Sequence, residues 1–403
     1  MPIELNHLPQ APRDLGWLKE QAQALWDFHA AALDGKGGFT MLDMSGSPLP
    51  HEPRGSGSER ALHDVCRMVH SYALATRVDH PQASEIVEKG MRWLLDRQRD
   101  TVNGGFFWSV DDAGPIDSRK QAYGHAFVLL AAASAHRAGN GDAEQLRDLA
   151  LDAIWSRFWE EDHGVVSDTF EVDWTGGLDY RGQNPNMHLT EAFLAAHAAW
   201  GDARYLDAAT RITTRLIGEN ARDAGWVVPE HFDSQWQVDA NFDGDAMFRP
   251  SGTTPGHALE WSRLVVELWL RTGKCHAWMP EAADALFRKA IDLGWLPEGG
   301  FAYTLGNDGS VSRDWRLWWP VAEAIAAAWT LNAIRPDPFY REWYERCWSF
   351  ADLYLIDHMH GGWFHQIDAD GKPETGVFSG KPDIYHALQA CLIPAGMMWP
   401  VKT

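Results

Sequence analysis

A short glycine-aromatic motif recurs six times along the 403 residues of this chain. Four copies have two glycines followed by an aromatic residue, and two degenerate copies have one glycine followed by hydrophobic residues. The second glycine, or its equivalent, stands at positions 38, 105, 164, 225, 300 and 362, so the copies are 59 to 75 residues apart. Each copy continues as a β-like stretch that ends in a turn, which is typical of a β-hairpin. Six copies of one unit predict a single closed domain over residues 1–403 rather than several unrelated domains.

Two helical patterns lie between successive hairpins, and they differ in where their hydrophobic residues fall. The helix before a hairpin is amphipathic, as in residues 83–99 and 143–158, which is the pattern of a helix with one face in solvent. The helix after a hairpin is apolar on every side, and residues 185–199, 318–334 and 382–395 each carry one charged residue. A helix of this second kind is expected to be buried all round.

Exposed and buried helices that alternate along the chain predict an inner ring of six helices inside an outer ring of six. The expected fold class is therefore all-α, an (α/α)6 barrel of six helical hairpins with short β-hairpin loops at one end. Because each hairpin leads into the N-terminal end of an inner helix, the residues just after the hairpins are expected to gather at one end of the barrel. A functional site is expected at that end.

The charge of the chain narrows the range of partners. Its formal net charge is −21 and its pI is about 5.2, which argues against nucleic acid or an anionic membrane surface, because both attract positively charged proteins. The sequence has no run of 18 apolar residues, and its four cysteines form no CxxC pair. Its first residues lack the pattern of a signal peptide. The expected location is the reducing cytoplasm.

Polar and aromatic residues cluster near the predicted start of each inner helix. His188 and His257 are each followed three residues later by a glutamate, which places both side chains on one helix face. The candidate site residues are Arg67, Tyr123, Asn184, His188, Glu191, His257, Glu260, Trp318, Trp319, Glu323, Asp383 and His386. Imidazoles beside an arginine suit proton transfer between adjacent carbons of an aldose through an enediolate. The tryptophans suit the stacking of a sugar.

Other interpretations fit some of these residues. A histidine in a buried helix is often an ordinary core residue, and a buried glutamate can serve only to orient it. His-x-x-Glu pairs also occur in metal sites, but those sites normally gather several carboxylates, so neither a metal nor a cofactor is expected here. A glycoside hydrolase could use Asp383 and Glu260 on either side of a bond. A sugar-binding module without catalysis is a further alternative.

Several segments resemble the N-acylglucosamine 2-epimerase superfamily. They are residues 184–193 (NPNMHLTEAF), residues 255–261 (PGHALEW), residues 317–320 (LWWP) and His386, and they match in order over nearly the whole chain. The first two strings are most similar to the branch of mannose and sulfoquinovose aldose–ketose isomerases. The family fold is an (α/α)6 barrel, in agreement with the number of repeats.

The resemblance also implies roles for the matched residues. His257 and His386 correspond to two acid–base histidines on opposite sides of the sugar. His188 corresponds to a histidine that acts in ring opening or binds substrate hydroxyls, and Arg67 to an arginine beside the reacting oxygens. The positions that correspond to substrate-lining residues are Tyr123, Asn184, Glu260, Trp319 and Trp363.

The expected activity is the interconversion of D-mannose and D-fructose, with D-lyxose and D-xylulose as a further pair. His386 is expected to remove the C2 proton of the open-chain sugar, Arg67 to stabilise the cis-enediolate, and His386 or His257 to return the proton to C1. A 2-epimerase acting on N-acylglucosamine, cellobiose or a free hexose remains an alternative, because it differs only in where the proton returns. The expected partner is a monosaccharide, and the chain is expected to be a monomer or a homodimer.

A sulfoquinovose isomerase is the other alternative within this branch. A sulfonate group would require additional cationic side chains in the site. Arg249, shortly before His257, could contact a substrate. One such arginine does not make a sulfonate site, so a neutral hexose is favoured.

Overall fold

The computed structural model describes residues 13–49, 59–247 and 249–398. Within these ranges the chain forms twelve α-helices, most of them in consecutive pairs with short strands between the pairs. The helices are α1 (Leu15–His29), α2 (Leu62–Ala75), α3 (Ala83–Trp93), α4 (Ala122–Arg137), α5 (Ala143–Ala153), α6 (Gln183–Trp200), α7 (Ala203–Thr213), α8 (Pro255–Arg271), α9 (Met279–Gly294), α10 (Trp318–Ile334), α11 (Pro338–Phe350) and α12 (Tyr385–Leu392). No helix of the described ranges has the length and apolar character needed to cross a membrane.

The helices form two concentric rings. Helices α2, α4, α6, α8, α10 and α12 make the inner ring, in which each packs against the next and α12 packs against α2 to close it. Helices α3, α5, α7, α9 and α11 each pack on the outside of the inner helix that precedes them, and α1 packs on α12. Helix α1, the first of the described residues, thus completes the outer ring beside the last inner helix. The predicted (α/α)6 barrel is confirmed.

Short strands lie between the outer helices and the inner helices that follow them. Those of the described ranges are β1 (Arg60–Ala61), β2 (Ser109–Val110), β3 (Pro115–Asp117), β4 (Lys120–Gln121), β5 (Trp159–Glu160), β6 (Val165–Val166), β7 (Thr169–Phe170), β8 (Tyr180–Gly182), β9 (His231–Asp233), β10 (Thr304–Leu305), β11 (Val311–Arg313), β12 (Arg316–Leu317) and β13 (Gln366–Ile367). Their pairs are all antiparallel.

The strand pairs are of two kinds, and the sequence predicts only the first. The glycine motifs make local turns, as where Arg99 pairs with Phe106 and Ile356 with Trp363. Other pairs connect neighbouring repeats: β1 with β2, β4 with β7, β8 with β9 and β12 with β13. The strand that leads into one inner helix is therefore bound to the hairpin of the next repeat. These pairs hold the N-terminal ends of the inner helices in register around the barrel.

The turn of the second motif shows why two glycines recur. Gly105 has a φ of +67°, a backbone conformation that residues other than glycine rarely adopt. A Cβ atom there would also lie 2.8 Å from His125 Nε2. That nitrogen accepts the backbone N–H of Phe106 at 3.1 Å, so a histidine at the start of an inner helix fixes the hairpin. His125 is therefore structural.

The helices lie where the sequence patterns predict them, but the ends of several helices differ by a few residues. Helix α10 covers the predicted residues 318–334. Helices α3 and α5 end as α-helices at Trp93 and Ala153, and a wider π-helical turn continues each of them to the following strand or turn. Helix α12 begins at Tyr385 rather than at residue 382, and Asp383 Oδ1, just before the helix, accepts the Tyr385 N–H at 2.8 Å.

Candidate active site

A cavity of about 400 Å³ opens at the end of the barrel where the inner helices begin. This volume lies within the range of small-molecule sites, about 300–1,000 Å³. The predicted site residues that line it are Arg67, Tyr123, Asn184, His188, His257, Glu260, Trp318, Trp319, Asp383 and His386. The closure of the inner ring thus brings together residues from opposite ends of the chain.

Two predicted substrate-binding residues do not line the cavity. Trp363 is buried in the hydrophobic core against Trp348, because the aromatic residue after each double glycine turns inward. Arg249 lies beside the cavity, where it forms an ion pair with Asp168 and stacks over the Tyr180 ring. Its charge is therefore already compensated by a carboxylate.

Each of two lining histidines is held by a buried glutamate. His386 Nδ1 lies 2.8 Å from Glu323 Oε1, and His257 Nδ1 lies 2.9 Å from Glu230 Oε1. A carboxylate at Nδ1 keeps a proton on that nitrogen and fixes the ring orientation. We infer that Nε2 of each imidazole is the nitrogen available for proton transfer.

The two glutamates of these pairs hold their negative charges. Burial alone would raise the pKa of each carboxyl. For Glu323 the opposing effects of Arg263 and His386 are larger, and they lower its pKa below the usual range. For Glu230 the neighbouring His257 does the same. Each ionised carboxylate can stabilise the imidazolium that forms when its histidine takes up a proton.

Both tryptophans of the predicted platform reach the cavity, but in different ways. The Trp319 ring lies near both catalytic candidates, with ring centroids 5.3 Å from His257 and 5.7 Å from His386. Trp318 packs edge-on against His365, with ring centroids 3.8 Å apart. Trp319 is therefore the aromatic surface next to the two histidines.

A methyl group at Gly256 is expected to displace the Trp319 ring. A Cβ atom there would lie 2.3 Å from Trp319 Cζ3. We expect Gly256→Ala to lower turnover roughly tenfold to a hundredfold, since small misplacements at a reacting centre are costly, and to cost about 1–3 kcal/mol in stability through overpacking. Steady-state kinetics and thermal unfolding measure the two effects. Gly141→Ala is the control, because a Cβ at Gly141 meets nothing within 4 Å, and equal losses in both variants would contradict this expectation.

Arg67 forms the cationic part of the cavity wall. Its guanidinium donates to Asp383 Oδ2 and to the Tyr123 hydroxyl, both at 3.0 Å. The same group stacks over the rings of Phe127 and Tyr385, with 4.6 Å and 4.9 Å to the ring centroids. Burial would raise the Asp383 pKa, but Arg67 and other neighbours lower it below its usual range. These contacts fix a planar donor at the cavity surface.

His188 is a neutral imidazole under physiological conditions. Burial lowers its pKa to about 4, although the adjacent Glu191 opposes this shift. Its Nδ1 lies 3.6 Å from a carboxylate oxygen of Glu191 and 3.6 Å from one of Glu260. A neutral imidazole can both donate and accept hydrogen bonds, which suits contact with sugar hydroxyls.

Sequence reasoning missed several lining residues. The most important of them is Glu230, which holds His257. Glu230 lies 27 residues before His257 and outside the predicted starts of the inner helices. Its position directly after the fourth hairpin, in the string VVPEH, was the available signal. Other lining residues that were not singled out are His63, Asp64, Trp108, Tyr180, His231 and Tyr303.

Two overlapping groups of side chains could in principle hold a metal ion. The first group consists of His188, Glu191 and Glu260, and the second consists of Glu260, Glu323 and His386. Within each group the ligand atoms lie within 4.8 Å of one another. The Arg263 guanidinium approaches the three carboxylates at 3.3 to 3.8 Å. Arg263 thus already supplies positive charge where a metal ion would supply it.

Imidazole–carboxylate pairs and an aromatic wall lie at the open end of the inner ring of helices. The fold and the site together therefore define a helical-barrel protein with an acid–base site. More specifically, the chain belongs to the N-acylglucosamine 2-epimerase (GlcNAc 2-epimerase) family, whose sequence model matches residues 37–390.

Relatives with assigned names resemble this chain over nearly its full length. It is 42% identical to the D-mannose isomerase of Thermobifida fusca, over 94% of this chain and 93% of the relative. It is 38% identical to the D-mannose isomerase of Pseudomonas cannabina pv. alisalensis, over 96% of this chain and 93% of that relative. A crystal structure of a D-mannose isomerase superposes with a TM-score of 0.89 at 27% sequence identity, covering 97% of this chain and all of the other.

Proposed function

We propose that this protein is an aldose–ketose isomerase that interconverts D-mannose and D-fructose, and D-lyxose and D-xylulose as a second pair. The observation that carries the proposal is the pair of histidines, His257 and His386, each bound to a buried glutamate and both beside Trp319. The similarity to D-mannose isomerases supports the choice of sugar.

The proposed reaction uses the histidines as acid and base. The hexose packs against Trp319, and the histidines assist the opening of its ring. Nε2 of His386 then removes the C2 proton while Glu323 stabilises the imidazolium. Arg67 stabilises the negative oxygen of the cis-enediolate. Transfer of the hydroxyl proton from O2 to O1 and return of a proton to C1, by His386 or by His257, give the ketose.

The charges in the cavity favour a neutral sugar. Among the lining residues that the structure describes, Arg67 is the sole arginine and no lysine is present. Its guanidinium is bound to Asp383, and the nearby Arg249 is bound to Asp168. A phosphate or sulfonate would therefore find no uncompensated cation. This favours mannose over an anionic sugar such as sulfoquinovose.

An NMR screen in D2O tests the proposal directly. The sugars are mannose, lyxose, N-acetylmannosamine, cellobiose and sulfoquinovose. We expect mannose to give fructose and to exchange its C2 proton. Glucose as the product would make the protein an epimerase, and no exchange with any sugar would make it a binding module. Loss of activity in EDTA would point to a metal-dependent reaction instead.

Three further features belong to the same proposal. The chain acts as one catalytic domain over residues 1–403, as a monomer or a homodimer. It works in the cytoplasm within carbohydrate metabolism. Its four cysteines are free thiols, and three of them are buried, which suits a reducing compartment.

A further inference from the structure

Glu260 carries a buried carboxyl group at the cavity surface. Its residue is 1% exposed, and it lines the substrate cavity. Neither carboxyl oxygen has a partner among the residues that the structure describes. Glu260 Oε1 lies 3.6 Å from His188 Nδ1 and 3.8 Å from Arg263 Nη2, both beyond hydrogen-bond distance. An ionised carboxylate in such a place would be very costly.

The two neighbouring glutamates are placed differently. Glu191 accepts hydrogen bonds from the Tyr385 hydroxyl and from the Gln389 amide. Glu323 accepts them from His386 and from Arg263. Both glutamates therefore have the donors that an ionised carboxylate needs, and Glu260 does not.

The net charge of the cluster formed by Arg263 and the three glutamates also indicates that Glu260 is protonated. Three ionised carboxylates around the single guanidinium of Arg263 would leave two uncompensated negative charges in the barrel interior. One added proton removes half of that excess. Burial, with the negative charges of Glu323 and Glu191, raises the pKa of Glu260 well above its usual value, although the positive charges of Arg263 and Arg67 oppose this shift. The proton is therefore expected on Glu260 at neutral pH.

We propose that Glu260 takes part in the reaction as a neutral carboxylic acid, whose O–H donates a hydrogen bond to the substrate oxygen that becomes negative in the enediolate. The role rests on the isomerase function proposed above. Glu260 keeps its proton throughout, so no bond to it is made or broken. A neutral donor in a water-poor site stabilises the developing charge without first having to be desolvated as an ion.

Infrared difference spectroscopy tests the protonation state without substrate. Wild-type protein minus Glu260→Gln should show the carbonyl stretch of a protonated carboxylic acid at neutral pH. The band should disappear when the pH rises through the raised pKa of Glu260. Glu88→Gln, at an exposed position on α3, should give no such band. Absence of the band from the Glu260 difference spectrum would overturn the proposal.

Turnover of two variants tests the role in catalysis. Glu260→Gln keeps an N–H donor of the same shape and is expected to retain activity within about tenfold of wild type. Glu260→Leu has no donor and is expected to lose about 10²- to 10³-fold, the effect of removing an oxyanion donor. Wild-type turnover should fall at alkaline pH as Glu260 ionises, and this fall should be absent in Glu260→Gln. Equal losses in the two variants would refute the donor role.

The result can be separated from a failure of the proposed function. Glu323→Gln removes a carboxylate that must be charged to hold the His386 imidazolium, so it is expected to lose far more activity than Glu260→Gln. If no sugar is isomerised, the proposed function fails, and the infrared band still decides whether Glu260 is neutral. An infrared band together with an active Glu260→Gln variant supports both the proposed isomerase function and the neutral carboxylic acid at Glu260.

Discussion

Replacement of His386 by alanine is expected to abolish exchange of the C2 proton of mannose with solvent and to lower turnover by about 10²- to 10⁴-fold, the usual contribution of a general base. The imidazole is held by Glu323 at 2.8 Å and lies beside Trp319, so its Nε2 is the positioned base. NMR of mannose in D2O measures the exchange, and single-turnover kinetics measures the chemical step.

The control for this variant is another histidine on an inner helix. His136→Ala lies near the C-terminal end of α4, away from the cavity, and should leave exchange unchanged. Circular dichroism should show the same helix content in both variants. If His386→Ala retained more than a few per cent of the wild-type exchange, His386 would not be the base. His257→Ala would then be the next variant to measure.

The fold could be predicted because its signals are local and repeated. The six glycine motifs divide the chain, and the change from amphipathic to fully apolar helices separates the outer ring from the inner ring. The pairing of neighbouring repeats could not be predicted in the same way. Strand β1 pairs Arg60 with Val110, 50 residues further on, and a two-residue strand carries no signature of so distant a partner.

The site was predictable to the extent that it lies on inner-helix starts. His188, His257 and His386 share that position, so the repeat alone brings them to one cavity. Glu230 lies outside the inner helices and depends on a contact with His257 that only the folded chain makes. Trp363 follows a glycine pair, but whether such an aromatic ring faces the cavity or the core is decided by the backbone turn at Gly362.

Removal of Arg263 is expected to cause the largest loss of stability. Arg263 Nη2 lies 3.6 Å from Glu191 and 3.8 Å from Glu260, and its Nε lies 3.3 Å from Glu323, all inside the barrel. We expect Arg263→Met to cost about 3–5 kcal/mol, because it leaves buried carboxylates uncompensated. Urea denaturation measures the free energy of unfolding. The exposed pair of Arg92 with Glu88 provides the control, since Arg92→Met should cost less than about 1 kcal/mol.

The loss of unfolding free energy in Arg263→Met should depend on pH, and its direction follows from the pKa values of the neighbouring glutamates. Arg263 contributes to lowering the pKa values of Glu191 and Glu323 in the wild type, so their contribution to stability is present above the usual glutamate range and is lost as the pH falls. Without Arg263 burial should raise both pKa values, so the native variant takes up protons that its unfolded chain does not hold. The cost should therefore be smaller at about pH 5 than at about pH 8. A cost that is the same at both values would mean that Arg263 stabilises the barrel by packing rather than by its charge.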